Sequence, residues 1–64
     1  MQNSIFTLNW VFSNGHEWLK DFNSYDEAES YFYTCNMLKN HSIERVYIVD
    51  GSGSSTWLKE KVSQ

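Results

Sequence analysis

The stretch "FTLNWVFSNGHEWLKDF", Phe6 to Phe22, limits what this chain can become more than any other part of it. Phe6, Leu8, Trp10 and Phe12 fall on one side of an extended backbone, and Ile5, Thr7, Asn9 and Val11 on the other. That period of two is the mark of a strand. The chain then meets Ser13-Asn14-Gly15 and resumes with "HEWLKDF", so a hairpin is expected. A one-residue slip would move a strand's apolar set to the opposite face, so the loop length can be tested against the pattern. A two-residue Asn14-Gly15 loop would pair Phe12 with Glu17 and Leu8 with Asp21, setting carboxylates beside apolar groups. A three-residue loop, a type I turn closed by Gly15 in the left-handed conformation, pairs Phe12 with His16, Trp10 with Trp18, Leu8 with Lys20 and Phe6 with Phe22. The aromatic rings then meet across the strands, and this register is the expected one.

Ser24-Tyr25-Asp26-Glu27 reads as a capping box. The Ser24 hydroxyl accepts from the Glu27 amide, and the Glu27 carboxylate returns to the Ser24 amide. Asp26, Glu27 and Glu29 also suit the positive end of the helix dipole. A helix is therefore expected from Tyr25 to Asn40, which can take the left-handed conformation that ends one. Its core stripe comprises Ala28, Tyr31, Phe32, Cys35 and Leu38, with Tyr25 at the margin. Phe32 and Cys35 are expected to pack against Trp10 and Trp18. Tyr33 and Met37 lie on the outer side and are left over from the core.

"IERVYIVD", Ile43 to Asp50, has the β-branched and aromatic composition of a strand. "GSGSS" turns the chain and "TWLKEKV" forms a second hairpin arm. Trp57 is the large ring that suits the helix-facing side, with Val46 and Ile48, which sends Tyr47, Val49 and Leu58 outward. The expected fold class is α+β: one domain spanning residues 1–64, a single four-stranded antiparallel sheet with one helix packed on one face, order β-β-α-β-β. The expected spatial order of strands is 2-1-3-4.

A chain of 64 residues buries only about 60% of the surface it exposes when unfolded. Small scaffolds of this kind usually lean on disulfides, a metal or a second chain. The single cysteine rules out an internal disulfide. What remains is the large payload of four Phe, four Tyr and three Trp, together with self-association. The formal charge of −3 and pI near 5.1 argue against direct nucleic-acid or anionic-membrane binding, both of which depend on a basic field. The N-terminal residues lack the basic and apolar regions of a secretory signal, and nothing approaches a membrane span. With one thiol and no export signal, a reducing cytoplasm is the expected compartment. The Asn40-His41-Ser42 sequon should stay unmodified there.

Catalytic chemistry finds little support. A cysteine nucleophile needs an adjacent base and a lowered pKa, whereas Cys35 is expected in the middle of the apolar stripe as an inert thiol. His16 and His41 share no zinc-ligand spacing with each other or with Cys35. Asp26 and Glu29 are one helical turn apart, but a solvated first turn does not raise a carboxyl pKa for general acid work. "DGSGSS" resembles a phosphate loop in composition alone, since it lacks the Lys and the helix that would follow. No catalytic residue, metal or cofactor is expected. Binding surfaces are the better candidates: Tyr33 and Met37 on the outer helix side, Asp26 and Glu29 at its acidic start, and Tyr47 on the open sheet face.

"FNSYDEAESYF", with its capping serine and acidic Glu-Ala turn, followed by "ERVYIVDGSGSSTWLKE", resembles many short proteins encoded by tailed bacteriophages. The resemblance covers most of the chain in size and style and transfers no functional residue. It implies a small sheet-and-helix module that binds and inhibits, or redirects, a host enzyme or nucleic-acid-processing complex in the host cytoplasm. The alternative is a structural homodimer that packs through the open sheet face.

Overall fold

A computed structural model describes residues 5–60 of the chain. The elements run β1 (Phe6–Phe12), β2 (Glu17–Phe22), α1 (Tyr25–Thr34), a short 3₁₀ turn (Met37–Lys39), β3 (Ile43–Val49) and β4 (Ser55–Lys59). The four strands form one antiparallel sheet in the order β2-β1-β3-β4, with the helix inserted between β2 and β3 in sequence. The architecture is the α+β arrangement expected, down to the strand order.

The first hairpin takes the register that its aromatic residues favour: Phe6 opposes Phe22, Leu8 opposes Lys20 and Trp10 opposes Trp18. Its loop closes with Gly15 donating to the Phe12 carbonyl at 3.0 Å and Phe12 donating to the His16 carbonyl at 2.7 Å. Gly15 sits at φ +94°, a conformation that costs glycine little and most other residues more. The core lies between one sheet face and the helix. It consists of Leu8, Ala28, Phe32, Met37, Ile43, Val46 and Ile48, with Phe6, Trp10, Phe12, Phe22, Tyr25, Tyr31 and Leu58 packed around it.

The helix starts where its cap dictates. The Ser24 hydroxyl accepts from the Glu27 amide at 3.2 Å, but the Glu27 carboxylate returns to the amide of Asn23 at 3.3 Å rather than to that of Ser24. The capping box therefore reaches one residue further back than expected.

The C-terminal end differs more. The helix stops at Thr34, with Cys35 as its C-cap and Asn36 at φ 56°, ψ 37°. Asparagine tolerates this left-handed conformation because its short polar side chain can bond locally. The stop falls at Asn36, not Asn40, and turning the chain back there has two consequences. Met37 swings beneath the helix and is 3% exposed, whereas Cys35 and Leu38, expected in the core stripe, face outward. Met37 is thus a core residue and not the outer-surface binding residue that continuous helical spacing implies. A ten-residue helix is about 15 Å long, and it brings Tyr31 to within 6.0 Å of Trp10 and 5.3 Å of Phe22. It leaves Trp18, on the outermost strand, 59% exposed.

The second hairpin carries another correction. Tyr47 opposes Trp57, but the next pair along is Val46 with Lys59, so the register shifts and Leu58 is the extra residue. Such a bulge reverses the face taken by the residues beyond it. Trp57, on the turn side of the bulge, lies on the open face because it opposes Tyr47, their rings 4.6 Å apart, and Leu58 packs on the core. The expected assignment of these two residues is exchanged. Lys59 also turns toward the helix side. Its ammonium donates to the carbonyls of Met37 at 2.9 Å and Asn40 at 2.7 Å. Burial pushes this amine below its ordinary value, and the two carbonyls favour its charged form.

Candidate binding face

The sheet face turned away from the helix is built as rows across the strands. The central row runs Leu19, Asn9, Tyr47, Trp57 from β2 to β4. A second row runs Asp21, Thr7, Val49, Ser55, and a third joins Glu17, Val11 and Arg45. Alternation of side chains along each strand puts all of these on one face. Leu19 is 62% exposed and Trp57 49%. Ile5, Thr7, Asn9, Leu19, Val49, Asp50 and Gly51 line a shallow depression of about 350 Å³ on the same side.

Polar bonds hold this face in shape. Asn9 lies beneath its neighbours and donates to the Thr7 carbonyl at 3.0 Å. The Thr7 hydroxyl donates to Asp21 at 2.8 Å, and the Tyr47 hydroxyl donates to Glu17 at 3.1 Å. Tyr47 is half-buried, and its phenol is held above the ordinary value by burial, then by the hydrogen bond to Glu17 and the charge of that carboxylate. It stays protonated and a donor at neutral pH. The row, exposed at Leu19 and Trp57, is thus framed by two carboxylates held by hydrogen bonds from this face.

The residues singled out from the sequence are divided between two sides of the molecule. Tyr47 is on the open sheet face. Asp26, Glu29 and Tyr33 gather around Tyr25 on the helix: the Tyr25 phenol is raised by burial and then by Glu29, Tyr33 and Asp26 in turn. Tyr33 is 58% exposed, its ring edge-on to Phe32 at 4.9 Å, and Asp26 is exposed while Glu29 is half-buried. Met37 belongs to neither surface. Trp57, Trp18, Leu19, Leu38 and Ile5 are exposed apolar residues not chosen as site residues from the sequence, although the hairpin register already put Leu19 and Ile5 on the open face.

Two further chemistry-bearing groups, Cys35 and Asp50, have local partners. Cys35 is exposed, and a hydrogen bond from the Tyr31 phenol to its sulfur is the main reason that phenol is raised. In the β3–β4 connection the Asp50 carboxylate accepts from the Ser52 amide at 2.9 Å, the Ser52 hydroxyl at 2.7 Å and the Ser54 amide at 3.0 Å. These bonds hold its carboxyl below the ordinary value, the Ser52 hydroxyl foremost. The amides that could cradle a phosphate are taken by the chain's own carboxylate. Among the described residues no group of three or more His, Cys, Asp or Glu is placed to hold a metal. No helix among them is long and apolar enough to cross a membrane.

Comparison with protein families, with characterised proteins and with solved structures finds no match to this chain.

Proposed function

We propose that the protein is a non-enzymatic protein-binding module that makes contact through its open sheet face. The observation that carries this reading is the row Leu19–Asn9–Tyr47–Trp57, which spans all four strands with its two ends exposed. Monomers of this size seldom leave large rings and aliphatic groups contiguous on one open face without a use. Aromatic side chains such as Trp and Tyr are the usual anchors of an interface. The resemblance to short phage-encoded modulators supports a bacterial host enzyme or nucleic-acid-processing complex as the partner, met in the host cytoplasm, and the net charge of −3 supports a protein rather than a nucleic acid.

Affinity capture from a bacterial lysate tests the reading. Wild type and Tyr33→Ala retain a common partner, whereas the double variant Leu19→Ser, Trp57→Ser loses it while keeping the wild-type circular dichroism. Retention by the double variant, or no partner enriched by wild type, overturns it. Self-association through the same face is the second reading, favoured by the small core, seven buried apolar residues among the described ones. A sedimentation coefficient that stays monomeric at micromolar concentration removes it.

A further inference from the structure

The two edges of the sheet are not equivalent. β4 is five residues long and bulged at Leu58, two devices that discourage further strand pairing. β2 is six residues long, pairs with β1 without a register shift, and is exposed along its length up to Phe22. It contains no proline, and its outer side is covered by none of the described elements.

The hydrogen-bonding direction of β2 follows from the hairpin. Phe12 and His16 form a hydrogen-bonded pair, and such pairs alternate along an antiparallel ladder. Trp18 and Lys20 therefore direct their backbone groups toward β1, while Glu17, Leu19 and Asp21 direct theirs outward. Among the described residues no strand pairs with the amides and carbonyls of these three, which form an open ladder edge.

Beside that edge runs a groove between β2 and α1, about 390 Å³ in volume and lined by Phe22, Glu27, Ser30, Tyr31 and Thr34. The Lys20 ammonium lies 5.7 Å from the centre of the Phe22 ring and 5.8 Å from that of Tyr31, and Trp18 stands exposed on the same side. An unpaired edge strand next to a groove against a helix is the geometry in which an extended peptide adds as a strand. Main-chain bonds supply affinity there, and pockets for alternate side chains supply specificity.

We propose that β2 is a docking site for an extended peptide segment of alternating basic and apolar residues, which joins the sheet as a fifth strand. This rests on the protein-binding reading and names the kind of partner. On the open-face side the incoming strand meets Glu17, Leu19 and Asp21, whose two carboxylates are held by the hydroxyls of Tyr47 and Thr7 and suit basic side chains. On the helix side it meets the Trp18, Phe22 and Tyr31 rings, which suit apolar side chains. A second copy of β2 is the poorer occupant. Antiparallel self-pairing centred on Leu19 sets Glu17 against the partner's Asp21 twice over, and like charges directly opposite one another are destabilising.

The test uses the full chain and a capped heptapeptide of alternating lysine and valine, followed by amide NMR. The expected result is saturable shifts confined to β2 and the Tyr31 side of α1, with exchange of the Leu19 amide slowed at least about tenfold at saturation. Two controls lose binding: the same peptide with alternate amides N-methylated, and one with glutamate in place of lysine. Glu17→Lys with Asp21→Lys weakens binding of the lysine peptide by at least about tenfold, as expected for two lost charge pairs at an interface. Equal binding of the N-methylated peptide, or shifts centred on β4 or on Trp57, overturns the proposal. So does a concentration-dependent β2 shift without peptide, which assigns the edge to a second copy. If the peptide fails while a captured partner still depends on Leu19 and Trp57, the edge is excluded and the binding-module reading stands.

Discussion

Replacing Met37 with alanine separates the observed chain path from one in which the helix runs on to Asn40. In the continuous helix Met37 is an outer residue, and a surface substitution changes stability by no more than about 0.5 kcal/mol. In the structure it is 3% exposed and packed in the core, where truncating methionine to alanine costs about 2–5 kcal/mol in lost transfer energy and residual cavity. Met37 begins a short turn at the rim of the core, so the surroundings can partly collapse, and the lower half of that range applies, about 2–3 kcal/mol. Small domains of this kind hold only about 3–5 kcal/mol in total, so half or more of the stability is at stake. The melting temperature should fall by about 10–20 °C, at 4–8 °C per kcal/mol. Urea denaturation followed by tryptophan fluorescence, with Met37→Leu as the volume-conserving control expected within about 1.5 kcal/mol, measures it. A Met37→Ala midpoint equal to that of wild type refutes the reasoning and returns Met37 to the surface.

Asn36→Val forces a β-branched residue into φ 56° and should cost about 1–2 kcal/mol, whereas Asn36→Gly stays within about 0.5 kcal/mol; equal midpoints for the two in urea would count against the left-handed stop. Lys59→Met removes both bonds to the Met37 and Asn40 carbonyls. Each carbonyl keeps a backbone donor, so the expected loss is about 1 kcal/mol, with faster amide exchange at Asn40 and Ile43; unchanged exchange there argues against the cap. The phenols of Tyr25, Tyr31 and Tyr47 are raised above 10.0 in the folded chain, so their contribution is fully present below pH 10 and is lost as pH climbs through the folded values. Lys59, held below 10.5, titrates with the opposite sign. The informative comparison is therefore wild type against Tyr47→Phe, whose stability should fall less steeply as pH rises above about 10; parallel curves contradict the role given to Tyr47.

Local signals recovered most of this fold because they agreed with one another. The alternation from Phe6 to Phe12 allowed one loop length, and that loop fixed the pairing of β2. Ser24 and Glu27 marked the helix start within a residue. The helix end was ambiguous because Asn36 and Asn40 can both adopt the left-handed conformation, and the choice rests on whether Met37 or Leu38 is buried, a tertiary matter. The exchange of Trp57 and Leu58 follows from the pairing of Trp57 with Tyr47, a register set by the β3–β4 connection and not marked in the residues of the arm itself; the one-residue bulge at Leu58 then turns Lys59 to the helix side. The bond from Lys59 to the helix end depends on that same bulge. Of the candidate binding residues, Tyr33, Asp26 and Glu29 were found exposed or half-exposed on one helix flank and Tyr47 on the open face, but the row to which Tyr47 belongs becomes visible only once four strands are in register.

The face assigned to Trp57 decides both the open binding row and the way β4 closes the sheet. Nuclear Overhauser contacts of its indole measure that directly in the isolated chain. Cross-peaks to the Tyr47 ring, with none to Ala28 or Phe32, are the expected result; cross-peaks from the Trp57 indole to Ala28 or Phe32 would place the ring under the helix and remove the open aromatic surface on which the binding role depends.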